Sequence, residues 1–268
     1  MPIRAAVRLC LLGIWRQEMG VQILNNPKKG ALELRESADG SVSAYSTRFD
    51  ECYHSLRDGA LRESLYKHII PAFSALEGAR EMRILDICFG LGYNTLASLY
   101  YARTHNLPLN LYIYSPELDD SLLTNLIDFP YPRELATLPL CEILCALRDR
   151  GVYEDAHTYI EVRLIDACVY VREIPTEGID VIYQDAFSPR KNPELWSEAY
   201  FAQLYRILAP NGILTTYSQS AAIRKNALVC GFVVYDCVHN ENLVRGGSVM
   251  SKRELSLPRY RLKRYEAR

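Results

Sequence analysis

The chain lacks the marks of a helical membrane protein, a disulfide-rich protein and a metal-binding protein. No apolar stretch reaches the roughly 18 residues that a helical membrane span needs, so no membrane partner is expected. Its eight cysteines (10, 52, 88, 141, 145, 168, 230 and 237) include no Cys-x-x-Cys pair. Scattered thiols, several within apolar runs, fit a reduced, cytoplasmic protein better than a disulfide framework. The five histidines show no ligand spacing with cysteine or with one another, so no metal is expected. Neither sign of charge dominates: 31 basic against 32 acidic residues give a net charge of −1. There is no internal repeat and no low-complexity segment. The N-terminus carries Arg4, Arg8 and a short apolar run, Leu9 to Trp15, but no small-residue cleavage site of a signal peptide.

What is present is a chain of 268 residues, 49% hydrophobic, enough for one large domain or one domain with an appendage. Residues 1–20 read as a flexible extension, and residues 21–78 as an N-terminal hairpin and helix appendage. Within the appendage, strands at 31–36 and 42–47 flank the turn pair Asp39-Gly40. A helix is expected at 65–76, broken at Pro71. Strand signals follow at 83–88, 109–115, 159–165, 180–185 and 212–218, with helical stretches at 94–104, 119–128, 167–172 and 197–208. The last part reads as helix, strand at 232–238, loop, and strand at 248–254. Residues 79–256 thus form an α/β unit with a mostly parallel sheet. Its antiparallel ending, in which a seventh strand inserts beside the fifth, is the Rossmann-like class I methyltransferase arrangement. Residues 134–150 could add an amphipathic helix over the pocket, interrupted by Pro139. Residues 257–268 form a basic tail; from Lys252 onward there are seven Lys or Arg against two Glu.

Chemistry gathers at the expected strand ends. After the strand Ile84-Leu85-Asp86-Ile87 comes Cys88-Phe89-Gly90-Leu91-Gly92-Tyr93-Asn94. Gly90 and Gly92 allow close approach to a ligand, and the helix beginning near Asn94 aims free N–H groups at an anionic group. The third glycine of Gly-x-Gly-x-x-Gly is replaced by Thr95. The acid-x-x-x-Gly-x-Gly run led by Asp86 favours S-adenosyl-L-methionine over a nicotinamide cofactor. Glu117 ends the second strand, where an acid can accept hydrogen bonds from both ribose hydroxyls; a solvated strand end is the bland alternative. Asp166, followed by Ala167, ends the third strand and either receives an adenine amino group or caps the next helix.

Asp185 ends the fourth strand, beside the point where strand order reverses. It opens the run Asp185-Ala186-Phe187-Ser188-Pro189-Arg190-Lys191-Asn192-Pro193-Glu194-Leu195-Trp196. An acid followed by an aromatic, proline and basic residues suits an open site better than a core. A carboxylate there can orient an amine towards a methyl sulfonium and accept its proton. An alkyl amine has a solution pKa of about 10, by analogy with lysine, and must lose its proton before attack. Arg190 and Lys191 could bind phosphate or simply be solvated.

These residues carry a family resemblance. Asp185-Ala186-Phe187-Ser188-Pro189-x-Lys191-Asn192-Pro193-x-x-Trp196 resembles the signature of the methyltransferase domain of the tRNA 5-methylaminomethyl-2-thiouridine biosynthesis protein. Phe89-Gly90-x-Gly92-x-Asn94 is similar to its cofactor loop, and Phe49-Asp50-Glu51-x-Tyr53 and Gly59 through Ser64 to its N-terminal stretch. Leu208-Ala209-Pro210-Asn211-Gly212-x-Leu214, Ser218 and Gly231-Phe232 extend the match over roughly residues 43–240. The resemblance implies methyl transfer from S-adenosyl-L-methionine to the exocyclic amine of 5-aminomethyl-(2-thio)uridine, at the wobble position in a tRNA anticodon stem-loop. Asp185 would be the catalytic, amine-facing acid. Ser64, Asp86, Phe89, Gly90, Gly92, Asn94, Glu117, Asp166, Ala167 and Asp185 would hold the cofactor. Tyr53, Phe187, Pro189, Arg190 and Lys191 would meet the substrate, with an aromatic stacking on the extruded base. Larger family members also carry a flavin oxidase domain. Here the chain would act alone on the aminomethyl nucleoside or follow a separate flavin-dependent or aminomethyl-forming enzyme. Cys88 stands where the family usually has glycine, and Leu91 where threonine is usual. Two rival readings are an aminopropyltransferase of spermidine synthase type and a tRNA-binding module without catalysis.

Overall fold

A computed structural model describes residues 32–266; the expected extension at 1–20 lies outside the described residues. The chain begins with β1 (Glu33–Glu36), β2 (Val42–Ser46) and β3 (Glu51–Cys52), which form a small antiparallel sheet. A helical stretch follows: α1 (Ala60–Glu63), a π-helical segment (Ser64–Ile69) and α2 (Ile70–Ala75). Then come β4 (Glu81–Ile87), α3 (Tyr93–Thr104), β5 (Asn110–Glu117), α4 (Leu122–Asn125), α5 (Leu140–Arg150), β6 (Val152–Glu154) and β7 (Thr158–Leu164). The chain continues through α6 (Ala167–Glu173), β8 (Ile179–Gln184), α7 (Glu198–Ile207), β9 (Leu208–Thr216), α8 (Ala221–Val229), β10 (Val233–His239), β11 (Gly247–Ser251) and β12 (Tyr260–Arg264).

The main sheet has nine strands in the order β12-β10-β11-β9-β8-β4-β5-β7-β6. Its inner seven are the expected class I set, with β11 inserted antiparallel between β9 and β10. Two short antiparallel edges extend it. β6 pairs with β7, and β12, drawn from the expected basic tail, pairs with β10. The central strands are covered on both faces, so Ile84 to Ile87 and Val181 to Gln184 are buried without alternation. Order reverses between β4 and β8, which places a ligand crevice at the carboxyl ends of these two strands.

Several segments differ from expectation for physical reasons. The helix expected at 65–76 begins five residues earlier and is not broken at Pro71; it widens into a π turn just before it. Pro71 has no N–H to offer the carbonyl five residues back, Tyr66 O, and the Tyr260 hydroxyl donates to that oxygen at 2.8 Å instead. The helix expected at 119–128 shrinks to the four residues of α4, because the Asp119 carboxylate engages the Ser121 N–H and hydroxyl in a local turn. β9 starts at Leu208 rather than 212, with a bulge taking up Ala209 to Gly212. Pro139 is the N-cap of α5 rather than a break within it, and α5 packs on α4, β6 and β7, away from the crevice.

The N-terminal segment is tied to the sheet by buried charge. Lys67 Nζ donates to Asp58 at 2.9 Å and to Glu63 at 2.6 Å. Arg245, from the loop between β10 and β11, donates to the same Asp58 at 3.0 Å. Burial would raise the Asp58 carboxyl, but Lys67 and Arg245 hold it below the usual range. Removing one partner of a buried ion pair leaves an uncompensated charge, which costs about 3–5 kcal/mol. Lys67→Met is therefore expected to lose stability on that scale in urea unfolding; a loss within about 0.5 kcal/mol, as for a typical surface change, would contradict the network's role.

Candidate active site

At the carboxyl edge of the sheet lies a cavity of about 590 Å³. Its wall is built from strand ends and the loops after them. β4 leads into Cys88, Phe89, Gly90 and Asn94; β5 ends in Glu117; β7 leads to Asp166 and Ala167; and β8 leads to Asp185 and Phe187. The segment after β3 closes the opposite side with Tyr53 and His54.

The glycine loop is shaped by backbone sign. Gly90 has φ +55°, and a Cβ there would stand 3.3 Å from the Tyr53 ring. Cys88 has φ +66°, a left-handed conformation that side chains disfavour and glycine adopts freely. The glycine usual in the resembling family would be relaxed at this position. The loop is pinned by its neighbour strand: Gly90 N donates to Glu117 Oε2 at 2.9 Å. Glu117 Oε1 accepts from the Leu118 and Asp119 N–H groups at 2.7 and 2.9 Å. Burial raises the Glu117 carboxyl, and these three N–H groups only partly offset it.

Asp185 forms the floor, and Asp86 is buried directly beneath it. The Asn94 side-chain amide donates to Asp185 Oδ2 at 2.8 Å and reaches Asp86 Oδ1 at 3.4 Å. Thr95 Oγ1 donates to Asp86 Oδ2 at 2.8 Å. Burial pushes Asp86 up to about 8, with the Asp185 charge adding to it. Burial also acts on Asp185, but His68, His54 and Asn94 together hold its carboxyl below the usual range. Two acids bridged by one amide are thereby split, one kept neutral and one charged.

The structure brings Tyr53, Phe89, Gly90, Asn94, Glu117, Asp166, Ala167, Asp185 and Phe187 to one cavity. It does not bring the other expected site residues there. Asp86 is fully buried beneath the floor, where it braces the start of α3. Ser64 is sealed within the π turn. Gly92 is the N-cap of α3, behind the Phe89 ring. Pro189 and Arg190 are exposed beyond the rim, and Lys191 pairs with Asp50 at 3.2 Å. Asp166 both lines the cavity and caps α6, its Oδ1 accepting from the Cys168 and Val169 N–H groups.

Four residues escaped the reading of the sequence as site residues. Phe49 stacks on Phe187 with ring centroids 4.6 Å apart, and Arg48 lies over Phe49 at 5.2 Å. His54 lines the cavity, and His68 is buried behind Asp185. The signal for His68 was present: Lys67-His68 interrupts an otherwise apolar helical run before Pro71.

The donor set fits S-adenosyl-L-methionine. Glu117 Oε2 keeps acceptor capacity that ribose hydroxyls could use, Asp166 Oδ2 is open to a donor such as an adenine amino group, and Leu118 and Ile165 supply apolar wall. Asn94 Oδ1 is buried without a hydrogen-bond partner among the described residues.

The split between the two acids has a measurable consequence. With Asp86 near 8 in the folded state and about 3.9 unfolded, the folded protein holds a proton that the unfolded chain has lost. Stability should therefore fall as pH rises between about 4 and 8, by up to about 1.4 kcal/mol per pH unit. Asp86→Asn is expected to flatten that part of the pH–stability curve, measured by urea unfolding; an unchanged slope would show Asp86 to be charged in the folded protein.

Comparison with known proteins agrees with this geometry. A family model described as S-adenosyl-L-methionine-dependent methyltransferase matches residues 139–239. The crystal structure of MNMC2 from Aquifex aeolicus superposes with a TM-score of 0.73 at 33% identity, covering 87% of this chain and 74% of that one. An uncharacterized protein of Methanocaldococcus jannaschii is 30% identical over 203 residues, 75% of this chain and 54% of its own length. The tRNA 5-methylaminomethyl-2-thiouridine biosynthesis bifunctional protein MnmC of Ralstonia nicotianae is 27% identical over 216 residues, 71% of this chain and 30% of its own length. The chain thus spans about half, or less, of these curated relatives. Together with the sheet order and the cavity at its reversal point, these matches show that the chain belongs to the MnmC2 family of S-adenosyl-L-methionine-dependent methyltransferases.

Proposed function

We propose that this enzyme methylates the exocyclic primary amine of 5-aminomethyl-(2-thio)uridine at the wobble position of tRNA. The observation that carries this reading is a charged carboxylate, Asp185, at the floor of a cavity whose mouth is aromatic. A carboxylate that faces the transferred methyl suits a nitrogen nucleophile, whose N–H groups it can accept as hydrogen bonds. Phe187, stacked on Phe49 and tilted against Tyr53 at 5.0 Å, offers a flat surface for an extruded base. The name of the relatives, a biosynthesis protein for tRNA 5-methylaminomethyl-2-thiouridine, supports the same substrate.

S-adenosyl-L-methionine, when bound, supplies an electrophilic methyl group. The chain's own residues supply the rest. Glu117 and Asp166 would hold the nucleoside half, with Gly90 allowing close approach. Asp185 orients the amine lone pair in line with the methyl, and entry into the cavity strips water from it. A carboxyl held below its usual range is a weak proton acceptor but a good hydrogen-bond acceptor, so orientation is the larger part of its role. The tRNA would reach the site through its anticodon stem-loop, after a separate enzyme has formed the aminomethyl group.

The direct test is methyl transfer to tRNA bearing 5-aminomethyl-2-thiouridine, read by nucleoside mass spectrometry. Conversion to the methylamino nucleoside is expected, and none with matched tRNA lacking the amine; methylation of both, or of neither, would refute the substrate. Asp185→Ala is expected to abolish turnover while changing S-adenosyl-L-methionine affinity by less than about tenfold, or about 1.4 kcal/mol. Wild-type turnover in that variant would remove Asp185 from the reaction. Affinity for tRNA is expected to fall steeply with salt, as phosphate contacts require; a flat dependence would argue against tRNA.

A further inference from the structure

Behind Asp185, on the side away from the cavity, stands a histidine that the reaction as described does not use. His68 is 0% exposed, carried on the π-helical segment between α1 and α2. π turns of this kind often mark functional positions. Its Nδ1 is 2.8 Å from Thr215 Oγ1, at the end of β9. Its Nε2 has no hydrogen-bond partner among the described residues and points to Asp185 Oδ1, 3.6 Å away. The Tyr183 ring meets the imidazole edge-on at 5.6 Å and fixes its plane.

The geometry points to His68 as a positioning residue that holds the Asp185 carboxylate charged and aimed at the cavity. An ionised carboxylate only accepts, so the nitrogen facing it must carry the proton. Thr215 suits either state of the ring, since its hydroxyl donates to a bare Nδ1 or accepts from a protonated one. The Asp185 side chain is 11% exposed, and an acid so placed would tend to neutralise without such support. Other groups face this pair. Asn94 from α3 bonds Asp185 directly, and Asp86 at the end of β4 lies behind that amide. His54 from the segment after β3 and Tyr217 after β9 sense the Asp185 charge, while Glu63 and Lys67 on the same helical stretch neutralise each other. Among the described residues Thr215 hydrogen-bonds no other side chain, and His68 reaches Asp185 from below. The inference rests on the reading of Asp185 as the amine-facing acid.

The test separates the two readings. In full-length protein labelled with carboxyl-¹³C aspartate, the Asp185 resonance is assigned by its loss in Asp185→Asn and titrated. In His68→Gln, which removes the imidazole but keeps a donor, the Asp185 midpoint is expected to rise by about one pH unit, the low end of the effect of a neighbouring group that favours the charged carboxylate. The acid limb of kcat/KM should move up with it, while the KM for S-adenosyl-L-methionine stays within about twofold. Should His68→Gln fail to fold, Thr215→Val, which keeps the shape of Thr215 but leaves Nδ1 unpaired, carries the same test with a smaller upward shift. An Asp185 midpoint unchanged in a folded variant overturns the inference. A midpoint that moves in protein that fails to methylate the aminomethyl nucleoside upholds the role of His68 and refutes the proposed substrate instead.

Discussion

Two carboxylates share one asparagine amide at the floor of this cavity, and they cannot both be charged there cheaply. Asp86 has only neutral partners, Thr95 and Asn94, and burial drives it towards its protonated form. Asp185 has the same amide but faces His68 and His54, and it stays ionised. The difference lies in what packs behind each acid. One negative charge is thus delivered at one place, at the end of β8, and the site is arranged around it.

The fold makes that arrangement by bringing distant segments together. β4 and β8 are neighbours in the sheet although nearly a hundred residues separate Asp86 from Asp185, and order reverses between them. Asn94 comes from the helix that follows β4, so the glycine loop serves two ends: it opens room for a nucleoside and sets the first turn of α3 over both acids. The N-terminal segment is the lid of the same site. Its buried Lys67 network anchors the helical stretch that carries His68, and Glu51 accepts from the Ser188 N–H and hydroxyl in the loop after Asp185. A methyl transfer gains from a site walled off from bulk water in this way.

Much of this was legible in the sequence because parallel strands write themselves as short unbroken apolar runs and their tips as acids and glycines. Glu117, Asp166 and Asp185 stand out in that way, and all three meet in one cavity. Asp86 misled: an acid four residues before a Gly-x-Gly looks like a ligand, yet only packing shows that its side chain points beneath the floor rather than into it. Ser64 misled for the same reason. The π turn could not be read, since it depends on Tyr260, nearly two hundred residues away, occupying the carbonyl that Pro71 leaves free. The edge strand β12 hid within a run of arginines and lysines, because strand pairing at a sheet edge tolerates charge on its open face. His68 was hidden by being a polar residue in an apolar helix, a pattern that more often marks a satisfied core histidine than a site.

With S-adenosyl-L-methionine bound as proposed, Glu117 would hold the ribose and Asp185 would face the transferred methyl. A crystal structure with S-adenosylhomocysteine tests this most directly. The account predicts ribose hydroxyls bonded to Glu117, the adenine beside Asp166, and the sulfur facing the Asp185 carboxylate across open space for an amine. A cofactor product bound elsewhere, or one whose sulfur turns away from Asp185, would contradict it.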